Sequence, residues 1–330
     1  MRWLVSSDLH LTDRPRDAHR FGIFGFLAKQ QRKHGVTATF ILGDITDKKD
    51  NHSASLVNRI VNELTQLAPP VYVLKGNHDF IDPNNPFFGF LNCIDGLRFV
   101  TKPTYLKDLG VVMIPHQPNQ AAFDEACKVI PTNAATVMLH ATLEGAIAES
   151  GRHLSGLQWP LARTKSPGRV VLAGDIHRPQ RLANGVMYVG APYTVRFGDD
   201  FEPRCLLVHN GKLQDLHFEC PRKWVLNVRD VEELKRSKAR AGDQVKVRLE
   251  LAREEAVEWK THKQAILDTC KEMGLEVFGV ELIVNTNSRI ERIAVEPSRT
   301  KTPAEVVAAF CKAENTASNI KRAGLELLDV

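Results

Sequence analysis

Val71-Tyr72-Val73-Leu74-Lys75-Gly76-Asn77-His78-Asp79 decides how this chain is to be read. Apolar, β-prone residues run into a glycine and then into side chains that bind cations or protons. The same pattern recurs on either side. Upstream, Trp3-Leu4-Val5 leads to Asp8-Leu9-His10, and Phe40-Ile41-Leu42 leads to Gly43-Asp44. Downstream, Val137-Met138-Leu139 ends on His140, and Val170-Val171-Leu172-Ala173 opens Gly174-Asp175-Ile176-His177. A single strand-end carboxylate or histidine carries little information, but α/β sheets gather their sites at strand C-termini. The repetition predicts one cluster of Asp, Asn and His with donors for two divalent cations.

Composition sets the frame. The 330 residues are 43% hydrophobic and 25% charged, as in an ordinary globular protein with room for a large α/β domain and a smaller one. The net charge of +5 is mild and spread along the chain, so nucleic acid is permitted as a partner without being demanded. Cys93, Cys127, Cys205, Cys220, Cys270 and Cys311 form no Cys-x-x-Cys pair, which argues against a zinc-thiolate site and fits reduced thiols. No apolar run of about 18 residues offers a membrane span. A strand beginning at the second residue leaves no room for a signal peptide, so a cytoplasmic location is expected.

Up to about residue 220 strands alternate with helical segments, the pattern of a layered sheet. Amphipathic helices are expected at Asp17–Lys33 and Ser53–Leu67, and a shorter one at Ala121–Lys128. Short strands follow at Val186–Val189, Cys205–His209 and Lys212–Phe218, the last two joined by Asn210-Gly211, the preferred type I′ turn. The character changes near Pro221-Arg222-Lys223. Beyond it come a strand (Val225–Val228), a helix (Val231–Lys235), a strand (Gln244–Leu251), a helix (Glu254–Met273) and a strand (Leu275–Val284). The expected domains are therefore 1–222, a small α/β unit at 223–296, and a linker with terminal helices at 297–330.

Hard divalent cations favour oxygen donors, with imidazole acceptable to Mn²⁺. Asp44, at the tip of a central strand, suits a carboxylate bridge between two ions about 3.5–4 Å apart. Asp8 and His10 can turn the same way and grip one ion; Asn77 and His140 suit the other. His78, beside Asn77, would be a proton donor to a leaving oxygen. Asp47 would hold its imidazole and raise its pKa. Asp13 and Asp79 are expected to serve their loops structurally.

These motifs resemble, in order, the signature of the calcineurin-like metallophosphoesterase superfamily: Asp-x-His, Gly-Asp, Gly-Asn-His-Asp, a lone His, then Gly-His-x-His. The resemblance implies an αββα sandwich and a two-metal hydrolase of phosphate esters. It puts Asp8, His10, Asp44 and His177 around one ion, and Asp44, Asn77, His140 and position 175 around the other. Asp175 departs from the pattern, which has His there; the aspartate is a competent oxygen ligand that adds negative charge. Within the superfamily, His140-Ala-Thr-Leu-Glu144-Gly145 and the Tyr188–Asp199 stretch resemble DNA-repair nucleases of the SbcD type, including the small subunits of phage recombination endonucleases. That likeness implies a Mn²⁺-dependent (or Mg²⁺-dependent) DNA exo- and endonuclease, with residues 223–296 as a capping domain. It also implies a homodimer within a heterotetramer, partnered by an SbcC-type coiled-coil ABC ATPase on which residues 303–330 would dock.

Other readings stay in view. A calcineurin-like hydrolase of phosphoproteins or small phosphodiesters would share every ligand, and a non-catalytic DNA-binding scaffold would share the fold. His52, Arg178, Arg289 and Arg292 are candidates for phosphate or DNA contacts; for the arginine pair a solvated hairpin is the competing expectation. Phe87-Phe88-Gly89-Phe90 is expected to pack as a loop core rather than to stack on bases.

Overall fold

The structure, a computed structural model, describes residues 1–160 and 168–285. The chain begins β1 (Arg2–Ser6), α1 (Gly22–His34), β2 (Ala38–Ile41), α2 (Ala54–Thr65), β3 (Val71–Leu74) and β4 (Leu97–Val100). These four strands run parallel, in the order β1-β2-β3-β4. A second series follows: β5 (Thr104–Leu106), β6 (Val111–Ile114), α3 (Gln120–Cys127), β7 (Thr136–His140), β8 (Val170–Gly174), β9 (Gln180–Arg181) and β10 (Met187–Tyr188). It forms a six-stranded sheet, β5-β6-β7-β8-β10-β9, parallel from β6 to β8. The chain then returns to the first sheet as a hairpin, β11 (Cys205–His209) and β12 (Lys212–Leu216), with β11 antiparallel to β1. Asn210 and Gly211 at its tip have φ of 51° and 76°, the left-handed pair that a type I′ turn requires.

The two-residue period of the strands builds the layers. On the first sheet Trp3, Val5, Phe40, Leu42 and Leu74 face Val111, Met113, Met138 and Leu172 of the second, making a core between sheets. The alternate residues Leu4, Ile41, Val71 and Val73 face outward against Phe24, Leu27, Ile60 and Leu64 of α1 and α2. On the far side, Val112, Val137, Leu139 and Val171 pack on Phe123 and Ala126 of α3. The result is the expected αββα sandwich. Ser53 caps α2 by accepting from the Leu56 N–H at 3.1 Å, and Asn119 caps α3 through the Ala122 N–H at 3.0 Å.

From Lys223 the chain forms β13 (Lys223–Val228), α4 (Val231–Lys235), β14 (Gln244–Ala252), α5 (Trp259–Glu272) and β15 (Glu276–Asn285). These strands make a separate parallel sheet, β13-β14-β15, whose core joins Val245, Val247 and Leu249 to Leu234, Ile266 and Cys270. The C-terminal helices expected beyond 297 lie outside the described residues.

Some expectations change. The helix expected from Asp17 starts only at Gly22; Pro15–Phe21 is a 3₁₀ segment instead. The cause lies in its charges. Arg20 is buried there and donates to the carbonyls of His10 (2.5 Å) and Val195 (2.8 Å), which pins this segment to the sheet ends. The helix expected from Glu254 likewise begins with 3₁₀ turns at Glu255–Glu258. Strands β4, β5 and β6 go beyond what the sequence pattern predicts.

The third sheet meets the sandwich through a buried charge triad. Asp17 accepts from Lys223 Nζ at 2.6 Å and pairs with Arg20 at 3.2 Å. Burial alone would raise the Asp17 pKa, but Arg20 and Lys223 hold it below the usual carboxylate range. Two cations share one anion, so removing that anion strands both in a low-dielectric setting. Asp17→Ala should therefore lower unfolding free energy by about 3–5 kcal/mol, read by urea denaturation; a loss below about 1 kcal/mol would show that the triad is solvated.

Candidate metal centre

The C-terminal ends of β1, β2, β3, β7 and β8 converge on one point between the two sheets. Asp8 and His10 follow β1, Asp44 follows β2, Asn77 follows β3, His140 ends β7, and Asp175 and His177 follow β8. Backbone strain marks the same place. Among the described residues, Asp8, His10, Asp44, Asp175 and the hairpin residue Asn210 are the non-glycine positions with positive φ. Such conformations persist where surrounding structure over-determines them, and they gather at functional sites.

Close approach requires small residues beneath the cluster. A Cβ on Gly43 would overlap the His140 ring, and one on Gly76 would overlap the Asp44 carboxylate. Asp79 staples these loops by accepting backbone N–H groups from Asp44 (2.9 Å), Ile45 (2.9 Å) and Gly76 (2.7 Å).

Asp44 divides its carboxylate between two halves of the cluster. Oδ2 lies 3.6 Å from His10 Nε2, whereas Oδ1 lies 3.5 Å from His140 Nε2 and accepts the His78 N–H at 2.9 Å. His140 donates Nδ1–H to the Leu42 carbonyl at 2.6 Å, so its Nε2 lone pair is aimed inward. Nε2 also lies 3.6 Å from Asp175 Oδ1. In the other half, His10 and His177 bring their Nε2 atoms within 3.0 Å of each other. Asp8 Oδ1 accepts the Asp175 N–H at 3.0 Å, while its buried Oδ2 has no hydrogen-bond partner.

Acceptors thus face acceptors. The Asn77 carbonyl oxygen lies 3.1 Å from both oxygens of Asp44 and 2.9 Å from His140 Nε2. A rotated amide would relieve that one contact, and an Nε2–H of one imidazole can donate to the other, but the orphaned Asp8 oxygen would stay unpaired. A cation relieves all of them. Donor separations of 2.9–3.6 Å are the edge lengths of a coordination shell whose bonds are about 2.0–2.2 Å. Ligand atoms of Asp8, His10 and His177, and of Asp8, Asp44 and His140, form groups within 4.8 Å. The residues present fit a pair of divalent cations.

Burial weakens these groups as ions. It pushes the Asp8 carboxyl up to about 8 against the pull of His140, and raises Asp44 and Asp79. It lowers His10 and, despite Glu149, holds His177 down at about 4.

His78 is half-buried at the rim, its ring 5.0 Å from that of His10. Its Nδ1–H donates at 2.9 Å to the backbone carbonyl of Asp47. The expected role of the Asp47 side chain is thereby corrected. The Asp47 carboxylate turns away, 3.8 Å from His10 Nδ1 and 4.0 Å from Arg14, because its loop leaves the carbonyl as the group facing His78. His52 packs edge-on against Phe87 at 4.5 Å and bonds the Lys49 carbonyl at 3.0 Å, so it completes the aromatic loop core. Arg178 is half-buried beside His177, and Arg289 and Arg292 lie outside the described residues.

Other residues at the site have no signal in the sequence. Glu149, rather than Glu144, approaches the metal cluster: it accepts the His177 N–H at 3.0 Å and lies 3.6 Å from its Nδ1. Glu144 is exposed and accepts the Gly156 N–H. Thr142 hydrogen-bonds Asp175 Oδ2. Arg196 lies close enough to disfavour protonation of His10 and His177, and its turn is shaped by Asp199 accepting the Val195 and Arg196 N–H groups. No local motif announces these partnerships; Arg196 stands out only as one residue of the Tyr188–Asp199 stretch.

The sequence pattern of the calcineurin-like phosphoesterase family matches residues 1–179. The chain belongs to that family. The family is one of phosphoesterases, and it binds divalent metal ions. The chain is 26% identical over 197 residues to exonuclease subunit 1 of Enterobacteria phage T4, covering 57% of each chain. It is 23% identical over 193 residues to a putative phosphoesterase (244L) of Invertebrate iridescent virus 6, covering 54% of this chain and 66% of that one. Both matches span less than two thirds of the relative. A solved archaeal phosphodiesterase superposes with a TM-score of 0.36 at 13% identity, covering 66% of this chain and 99% of that one; at that score it bears no weight. No helix among the described residues is long and apolar enough to cross a membrane.

Because the metal-free Asp8 carboxyl ionises only near pH 8, a cation arriving below that pH must displace its proton. His10 and His177, held neutral by burial, add no such cost. Asp44 is raised as well, so Mn²⁺ affinity should rise by at least roughly tenfold per pH unit on the way up to pH 8. Calorimetric titrations across that range check the slope, and a flat profile would show that Asp8 is already ionised.

Proposed function

We propose that this phosphoesterase is a nuclease that hydrolyses DNA phosphodiesters, with Asp8, His10, Asp44, Asn77, His140, Asp175 and His177 holding two divalent cations. The observation that favours a polynucleotide is a recess of about 330 Å³ beside the cluster. Asp47 lines it, together with Arg14, Arg16, Arg196, Lys246 and Phe197. Arg20 and Lys223 also reach it but are committed to Asp17. Four further cations thus face one carboxylate. Aromatic surface lies among them: Lys246 Nζ is 5.0 Å from the Phe197 ring centre, Arg16 stands 5.4 Å from that of Phe278, and the two rings are 5.3 Å apart. Cations interleaved with rings suit a phosphate backbone with unpaired bases, and one small phosphate ester would leave most of them unused.

When bound, the two cations supply a water nucleophile at neutral pH and neutralise charge on the phosphate. The protein provides the rest. In in-line attack the water oxygen bonds to phosphorus as the opposite ester bond breaks. His78, held by the Asp47 carbonyl at Nδ1, presents Nε2 as the position from which a proton passes to the leaving oxygen. Mn²⁺ is the cation proposed for the working enzyme, with Mg²⁺ the alternative.

The phage relative is named as a subunit, and that supports a partner here also. We assign an SbcC-type coiled-coil ABC ATPase, a homodimer within a heterotetramer, and a cytoplasmic setting to this reading. Residues 223–296 would act as a cap; the docking segment at 303–330 lies outside the described residues.

His78→Ala should reduce cleavage of linear DNA by about 10²–10⁴-fold with Mn²⁺ binding retained. Asp47→Ala keeps the backbone acceptor and should remain within about tenfold of wild type. Equal losses in the two variants would shift the orienting role to the Asp47 carboxylate.

Replacing Arg16 and Lys246 together by Glu should weaken DNA binding and flatten its log–log salt dependence by about one for each phosphate no longer neutralised. Turnover of a chromogenic phosphodiester by the wild-type chain without any DNA degradation would overturn the nuclease reading.

A further inference from the structure

The two halves of the cluster differ in chemistry, and the difference traces to a pair of residues in the second sheet. In one half His10 and His177 meet beside the free oxygen of Asp8, and Asp44 Oδ2 lies 3.6 Å from His10 Nε2. Around Asp44 Oδ1 stand a single imidazole, His140, with the Asn77 carbonyl and Asp175 Oδ1. The first half offers two nitrogens beside the oxygens of Asp8 and Asp44; the second offers one nitrogen beside the oxygens of Asp44, Asn77 and Asp175, with Asp8 also within reach. Imidazole-rich sites suit Zn²⁺ and its neighbours, whereas carboxylate and carbonyl oxygens suit Mg²⁺, Mn²⁺ and Ca²⁺.

Asp175 is also held more firmly than a lone strand-end aspartate. Its backbone sits at φ 93°, a conformation side-chain-bearing residues rarely adopt. Its N–H is tied to Asp8 Oδ1, and its Oδ2 takes the Thr142 hydroxyl. With Oδ2 engaged, Oδ1 alone is turned toward His140. A carboxylate restricted to one oxygen suits the compact shells of Mg²⁺ and Mn²⁺. Ca²⁺ is larger and readily uses both oxygens of a carboxylate.

We propose that Asp175, clamped through Oδ2 by Thr142, makes the second half of the centre selective for a small, hard divalent cation, so that the two halves discriminate differently among metals. Asp175 supplies the oxygen-rich character against Zn²⁺; Thr142 is a positioning residue that supplies the size limit against Ca²⁺. The inference rests on the metal-centre reading of the site.

The test is cation binding itself, measured by calorimetry and metal analysis on the full chain after chelator treatment, with Mn²⁺, Zn²⁺ and Ca²⁺ as separate probes. The wild-type chain should take up two Mn²⁺. In Asp175→His, the Zn²⁺-to-Mn²⁺ affinity ratio should rise about tenfold or more at one site and stay unchanged at the other. The unchanged site doubles as a check that the variant is folded. Thr142→Val should raise the Ca²⁺-to-Mn²⁺ ratio about tenfold at that same site, and Thr142→Ser, which restores the hydroxyl, should return it to the wild-type value. An Asp175→His chain with wild-type ratios at both sites overturns the proposal. So does a Thr142→Val chain with an unchanged Ca²⁺ ratio, or one that Ser fails to rescue. A wild-type chain that binds no cation overturns the metal centre itself, a result distinct from two bound ions with no selectivity.

Discussion

Everything at the centre hangs on the burial of one carboxylate, Asp44, between two sheets. Its peptide N–H goes to Asp79, one oxygen takes the His78 N–H, and its two oxygens look toward imidazoles on opposite sides. This arrangement exists because β2 is interior to the first sheet and its end abuts the ends of β7 and β8 in the second. The apolar layer between sheets sets that distance. Phe40 and Leu42 pack there against residues of β6, β7 and β8, so strands that share no hydrogen bonds still deliver donors to one point. Gly43 and Gly76 then remove the Cβ atoms that would hold the loops apart.

Such a centre is costly for the metal-free chain. Asp8, Asp44 and Asp79 are all buried, and burial raises the pKa of each. Left-handed backbone at Asp8, His10, Asp44 and Asp175 adds strain of order 1–3 kcal/mol per residue. The stabilising interactions lie elsewhere, in three apolar layers whose strands are almost wholly buried. Asp79 shows how the structure limits the cost: its carboxylate accepts three backbone N–H groups, satisfying donors that the tight loops would leave unpaired. Rigid layers and a strained, acceptor-rich rim therefore belong to one design. Divalent cations would supply the charge that the rim lacks.

The strand-end motifs are legible in the sequence because each is local: an apolar run sets a strand, a glycine sets a turn, and the next side chains must emerge at the strand end. The alternation of strands and helices predicts a layered sheet, and the family resemblance supplies its αββα form. What escapes a reading of the sequence is set by contacts across long stretches of chain. The carboxylate is the conspicuous group of Asp47, but the loop path puts its backbone carbonyl on His78, 31 residues away. Glu144 sits in the more conspicuous segment, yet it is Glu149 that the turn after β7 folds back onto His177, 28 residues on. Thr142 and Asp175 meet only because β7 and β8 are hydrogen-bonded neighbours. Strand β4, with Arg98 and Phe99 between Leu97 and Val100, shows no period strong enough to announce itself; it is specified by its pairing with β3.

Asp47 shows how these levels join. Its carbonyl fixes the ring of His78, its carboxylate faces His10 and Arg14, and the residue lines the basic recess between the sandwich and the third sheet. One loop position therefore touches the rim imidazole His78, an imidazole of the metal cluster, and the cations of the recess. The recess in turn depends on the Asp17 triad, because Arg20 and Lys223 form part of its lining and Lys223 begins the strand that brings the third sheet alongside. The two features are thus physically separable: the sheet ends set the metal-facing cluster, and a buried ion triad sets the basic surface beside it.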